Sequence, residues 1–205
     1  MASEQIKNVV FDIGNVIVRW SPVEIIRLTF GSAVSPESMA QSIFQSPVWL
    51  NLNKGLISET EAKLQYQQAH YLSAEECERL FYYVKHTQLL IYGSTDLLKR
   101  VKNAGYGVYA LTDNVKEIVS YLKMTYDFWE LFDGTTVSAS VGLLKPQPEI
   151  YQLLLSQYGL VAAETVFIDD MPHNVAGARA AGISAIQFEN ATQCEQDLKM
   201  LGLSF

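Results

Sequence analysis

Five short runs rich in Val, Ile, Phe and Tyr punctuate this chain: Asn8–Phe11, Gly107–Leu111, Phe132–Val137, Thr165–Ile168 and Ser184–Phe188. Gly, Asp or Thr bounds them, the pattern of strands buried on both faces. Helix-like stretches accompany the later runs: Thr95–Ala104, Val115–Lys123, Pro148–Tyr158 and Val175–Ala181. Three of the four stop at a glycine (Gly105, Gly159, Gly182), the residue that best takes the left-handed turn past a helix end. Buried strands alternating with helices predict an α/β fold, a parallel sheet covered on both faces. The chain can fill such a core, since 49% of its 205 residues are apolar and 18% are charged.

Between Ser21 and Gly93 the pattern changes. No convincing strand follows Val18, and four helix starts stand out: Ser21-Pro22, Ser35-Pro36-Glu37, Ser58-Glu59-Thr60-Glu61 and Ser73-Ala74-Glu75-Glu76. The last two fit a capping box, in which Ser accepts a backbone N–H and Glu reaches back to the Ser backbone. A mostly helical block over 21–93 is therefore expected inside a sheet domain built from 1–20 and 94–205. His70 and His86 fall in this block and read as helix residues. So do the aromatics Phe44, Trp49, Tyr66, Tyr71, Phe81, Tyr82 and Tyr83, read as core.

The net charge is −7 with no basic stripe, which excludes nucleic acid as a partner class. No apolar run is long enough to span a bilayer, and the start of the sequence lacks a secretory pattern. Cys77 and Cys194 are too few for a disulfide framework. A cytoplasmic monomer or homodimer is expected.

Ligands bind beyond the carboxyl ends of strands in an open parallel sheet. Asp12, Gly14 and Asn15 follow the first run, and Thr112, Asp113 and Asn114 follow the second. Lys145 follows the third after a loop; Asp169, Asp170, His173 and Asn174 follow the fourth. Singly, each has a plain alternative, such as a turn, an N-cap, a solvated lysine or an acidic helix start. Together, in this order, they describe phosphoryl transfer. Asp12 beside Asp169 or Asp170 would repel unless a hard cation, Mg²⁺, sat between them. A carboxylate in that place is a nucleophile that forms an aspartyl-phosphate. Thr112 and the amides after it could hold phosphate oxygens, and Lys145 could neutralise both partners.

The segments FDIGNVIV, YALTDN, GLLKP and VFIDDMPHNVAGARAAG, in this order, resemble the four motifs of the haloacid dehalogenase superfamily of hydrolases. The resemblance implies a Rossmann-like core with a helical cap inserted over 21–93. A subgroup with the same D-x-G-N start includes a phosphatase of α-D-glucose 1-phosphate, so a sugar phosphate is the expected substrate. By the same resemblance Asp12 is the nucleophile, and Asp12, Asp170 and the Gly14 carbonyl hold Mg²⁺. Asp169 lies beside the metal and orients its water or Lys145. Thr112 binds phosphate with the backbone of Asp113, Lys145 bridges nucleophile and phosphate, and Asn15 is a further substrate contact.

Two positions depart from the family pattern. Gly14 stands where its phosphatases carry a second Asp that protonates the leaving oxygen, and Asp113 stands where Asn is usual. Three readings follow: a Mg²⁺-dependent phosphatase, a 2-haloacid dehalogenase using Arg19 for the substrate carboxylate, or a weakened metabolite-binding protein. Without the second Asp the enzyme is expected to favour good leaving groups, such as an anomeric oxygen, or to borrow a proton, for which His173 is a candidate. Arg19 and Trp20 lead toward the cap entrance, with packing between cap and core the first reading of Trp20.

Overall fold

In β1 (Asn8–Phe11), Val9 and Phe11 join one apolar cluster while Val10 joins another, as the two-residue period of a strand requires. The computed structural model describes residues 5–70 and 72–205, without the side chain of His70. Tyr71, read as core from the sequence, lies outside the described residues.

Five helices follow β1: α1 (Pro22–Phe30), α2 (Pro36–Phe44), α3 (Pro47–Asn53), α4 (Glu59–His70) and α5 (Ala74–His86). Then come α6 (Ser94–Asn103), β2 (Gly107–Thr112), α7 (Lys116–Thr125), β3 (Gly134–Val137) and α8 (Ser138–Val141). The chain closes with α9 (Pro148–Tyr158), β4 (Thr165–Asp169), α10 (Pro172–Ala180), β5 (Ser184–Gln187) and α11 (Ala191–Met200).

All five strands are parallel, in the order β3-β2-β1-β4-β5. Helices α6, α7 and α11 pack on the face shared with Val9, Phe11, Val166 and Ile168. The other face, with Val10, Leu111 and Phe167, receives Ile150 and Leu154 of α9 and Ala178 of α10. This is the parallel α/β sheet, covered on both faces, that the buried runs predict, and the Rossmann-like core that the family resemblance implies.

The third strand starts at Gly134 rather than Phe132, because Phe132 packs on Trp129 at 6.0 Å and faces the core before pairing begins. Three helices are not foreseen from the sequence: α3, the single turn α8, and α11. α3 opens on Ser46-Pro47, with Ser46 Oγ accepting the Trp49 N–H at 3.1 Å. α11 opens on Asn190, whose Oδ1 accepts the Gln193 N–H at 3.0 Å. Both capping boxes form: Ser73 with Glu76 and Ser58 with Glu61 exchange bonds in both directions.

The chain leaves the sheet toward α1 and returns from α5 side by side. Arg19 N–H donates to Leu89 O at 2.8 Å and Ile91 N–H to Ile17 O at 2.9 Å. This short stem ties the helical segment over the carboxyl edge of β1. A second tie is Ser138, fully buried, whose Oγ donates to Asn53 O at 2.7 Å and accepts the Asn114 N–H at 2.8 Å.

Candidate active site

Backbone pairing continues one residue past β1, with Asp12 N–H donating to Ile168 O at 2.9 Å. The Asp12 carboxylate is thereby delivered to the edge where β4 ends in Asp169 and Asp170. One oxygen from each of Asp12, Asp169 and Asp170 lies within 4.8 Å of the others. Lys145 enters from the loop before α9, with its side chain 1% exposed. Its Nζ lies 3.0 Å from Asp12 Oδ2, 2.7 Å from Asp169 Oδ2 and 3.3 Å from Leu111 O.

The remaining carboxylate oxygens are largely spoken for. Asp12 Oδ1 accepts the Ile13 N–H at 2.7 Å. Asp169 Oδ1 accepts the Met171 N–H at 2.8 Å, and Asn174 Nδ2 reaches both Asp169 oxygens at 3.0 and 3.1 Å. Asp170 Oδ2 accepts Asn15 Nδ2 at 3.1 Å, while Asn15 Oδ1 accepts the Trp20 N–H at 2.8 Å. Asn15 thus sits between the acidic pair and the start of the helical segment, its φ of +53° in the region Asn tolerates better than most residues. The Asp113 carboxylate accepts the Lys145 N–H at 3.1 and 3.2 Å, so it braces the lysine's own backbone.

Electrostatics follow from burial. Burial pushes the Asp12 carboxyl up to about 8, with Lys145 opposing and Asp169 adding to the rise. Burial also raises Asp170, against the Asn15 hydrogen bond, and raises Asp113, against Lys145. For Lys145, burial works against the ammonium, but Asp12, Asp169 and Asp113 outweigh it and hold its pKa above the usual lysine value. Three clustered carboxylates against one ammonium leave an excess of negative charge, which a hard oxygen-seeking cation relieves. Two more oxygens fit that use. Asn174 Oδ1 is buried without a partner, and the carbonyl of Gly14, a residue that lines the cavity, receives no hydrogen bond among the described residues.

A cavity of about 390 Å³ opens above this edge. Asp12, Gly14, Asn15, Asp113, Lys145 and Asp170 line its floor, together with His173 and Asn174. Thr112 is buried at the end of β2 and does not itself line the cavity. Trp20, Phe44 and Trp49 line the opposite wall. Trp20 stacks on Trp49 at 5.7 Å, and Phe44 meets both edge-on, so Trp20 is both packing and wall. Of the other aromatics read as core, Tyr66 and Phe81 are fully buried, whereas Tyr82 is 54% exposed and stacks on His86. Asn53 and Gln88 also reach the cavity. No motif pointed to them, because each lies in or beside a helix far in sequence from the strand ends. Arg19 pairs with Glu24 and is absent from the lining, so a substrate carboxylate finds no guanidinium there.

Comparison with known proteins agrees with this arrangement. The family model of haloacid dehalogenase-like hydrolases matches residues 6–182. A sesquiterpene phosphatase of Aspergillus oryzae is 28% identical over 195 residues, covering 95% of this chain and 96% of the relative. A D-ribitol-5-phosphate phosphatase of Bacteroides thetaiotaomicron is 26% identical over 215 residues, covering 96% and 98%. Among solved structures, a haloacid dehalogenase family enzyme of the same bacterium, in complex with magnesium and inorganic phosphate, superposes with a TM-score of 0.74 at 23% identity. That match covers 90% of this chain and 95% of the other. With its parallel sheet, its acidic edge and a family match over most of its length, the chain belongs to the haloacid dehalogenase-like hydrolases.

Proposed function

We propose that this protein is a Mg²⁺-dependent phosphatase of a small phosphorylated metabolite, acting through an aspartyl-phosphate on Asp12. The observation that carries the reading is the Asp12–Asp169–Asp170 cluster with Lys145 Nζ 3.0 Å from Asp12 Oδ2. Asp12, Asp170 and the Gly14 carbonyl would hold the metal, with Asp169 beside it. When bound, the cation neutralises charge on the nucleophile and the phosphoryl oxygens.

The protein's own groups supply the rest. Asp12 attacks phosphorus, and the bond from phosphorus to the leaving alcohol breaks. Lys145 offsets the charge of Asp12 and the phosphoryl group and is aimed by Asp169, which Asn174 holds in turn. The Asp113 N–H after β2 binds a phosphate oxygen, since the Asn114 N–H is held by Ser138 Oγ and the expected ligand Thr112 does not line the cavity. Asn15 contacts the substrate side of the floor and fixes Asp170. Water then attacks the aspartyl-phosphate, releasing inorganic phosphate and Asp12. With glycine at 14, no side chain there protonates the departing oxygen. His173, on the cavity floor, is the group we assign to that task.

The helices over 21–93 serve as the cap that closes the site, above a core of 1–20 and 94–205. The D-x-G-N start and the ribitol phosphatase relative support a sugar or polyol phosphate; the sesquiterpene phosphatase relative supports an apolar one. Two free, buried cysteines support a cytoplasmic setting.

The test is inorganic phosphate release from a panel of phosphate esters. Activity is expected to require Mg²⁺ and to fall at least 10³-fold in Asp12→Asn. Release that survives chelation or this substitution would overturn the reading. His173→Ala is expected to slow poor leaving groups about 10²-fold and leave acetyl phosphate, which needs no acid, little changed.

A further inference from the structure

Resting on the phosphatase reading, we infer that the substrate is the monophosphate of a neutral, largely apolar alcohol, carrying no second anionic group and few hydroxyls. Two features of the cavity carry this.

The first is the wall facing the nucleophile. Trp20, Phe44 and Trp49 pack on one another at 4.9–5.7 Å between ring centroids. Trp20 and Trp49 are near-parallel at 12°, too close for a ring to slide between them. They form a wall rather than a clamp, and Leu50, Ile118 and Leu144 add apolar lining elsewhere in the cavity. The amides on that side are turned partly inward: Asn53 Nδ2 donates to Trp49 O and Gln88 Nε2 to Val84 O, each at 2.9 Å. Their oxygens offer acceptors for one or two hydroxyls. A polyol brings a hydroxyl on every carbon, and those facing the wall would leave water without a partner. An apolar body loses nothing there and buries its surface.

The second feature is charge. Among the described residues lining the cavity, Lys145 is the one permanently charged cation, and Asp12 and Asp169 already hold it. Asp113 and Asp170 add negative charge at the floor. A diphosphate, a second phosphate or a carboxylate on the substrate would meet carboxylates and aromatic rings instead of a counter-charge.

The experiment compares n-hexyl phosphate with sorbitol 6-phosphate, which share six carbons and a primary leaving oxygen, with Mg²⁺ present. Acetyl phosphate reports the chemistry without a body to recognise. The ratio of kcat/KM is expected to favour hexyl phosphate about 10²-fold, the scale of discrimination that pocket polarity supports. Hexyl phosphate is also expected to exceed hexyl diphosphate at least tenfold. Leu50 is 45% exposed, so Leu50→Asp should fold and narrow the hexyl-to-sorbitol ratio at least tenfold. An unchanged ratio in that variant removes the apolar lining as the cause and overturns the inference. Turnover of acetyl phosphate with sorbitol 6-phosphate equal to or better than hexyl phosphate overturns the inference and leaves the phosphatase standing. Should acetyl phosphate go unhydrolysed, the phosphatase reading fails, and equilibrium binding of the two esters decides the ligand class. Tighter hexyl phosphate keeps it; equal or weaker binding removes it.

Discussion

Gly14 is the residue at which this chain differs most informatively from its family's pattern, and the structure shows that the glycine is not forced. Its φ is not positive, and a Cβ built there meets only Trp20 Cβ, at an ordinary 3.9 Å. The position can carry a Cβ without displacing anything. Gly14→Asp is therefore expected to fold and to supply the missing carboxyl. For alkyl phosphates kcat should rise about 10²-fold, with little change for acetyl phosphate, as read by inorganic phosphate release. No rise would mean that proton delivery does not limit the wild-type rate. Lys145 is constrained in the opposite sense. It is buried against two carboxylates, so Lys145→Met leaves them uncompensated and should cost about 3–5 kcal/mol in denaturant unfolding without metal.

At the scale of elements, the helical segment and one face of the sheet share a single apolar cluster, and a few hydrogen bonds fix how they join. The stem pairs Arg19 with Leu89 and Ile17 with Ile91, and Ser138 bridges Asn53 at the end of α3 to Asn114 before α7. Gly55, just past α3, has φ +67° and sits so close to the Ala139 carbonyl that a Cβ would overlap it. Gly55→Ala must both strain its backbone and push α3 off α8. The expected cost is about 2 kcal/mol or more, which in a chain of this size lowers Tm by about 4–8 °C. Calorimetry reads it, and an unchanged Tm would show that the segment shifts freely. Strand and helix identities were legible in the sequence because period, caps and glycine stops are local. The start of β3 and the existence of α3, α8 and α11 were not. Phe132 carries strand-like chemistry but is claimed by Trp129, and short capped helices give little periodicity to read.

For the molecule as a whole, the acidic edge makes stability depend on pH and metal together. Burial holds the folded Asp12 carboxyl near 8, whereas in the unfolded chain it titrates near 4. Between those values the folded state binds more protons at Asp12, so this group's contribution to metal-free stability is greatest below about 4 and falls as pH climbs toward 8. Raised Asp170 and Asp113 act in the same direction. Mg²⁺ binding to the folded state alone should restore about 2.7 kcal/mol at a hundredfold excess over Kd. The rise in Tm on adding Mg²⁺ to chelated protein should accordingly be larger at pH 8 than at pH 5. Equal rises at both would show that the cation does not bind at this edge.

From the sequence alone came the parallel sheet, the inserted helices and the residues at the strand ends, Asp12, Lys145, Asp169 and Asp170 among them. Those follow from short-range pattern, since a buried strand that ends on a carboxylate presents it at the carboxyl edge of any parallel sheet. What surrounds the substrate was decided only by tertiary packing. Trp20, Phe44, Trp49 and Gln88 come from the stem, two helices and the return segment; the three aromatics read in sequence chiefly as packing, and nothing there singles out Gln88. Only when the helical segment docks do they share one cavity with Asp12. The turn of Asn15 toward Asp170, and of Asp113 toward the Lys145 backbone, is of the same kind. A side chain's partner across 30 or 150 residues is set by docking and burial, which no local pattern encodes.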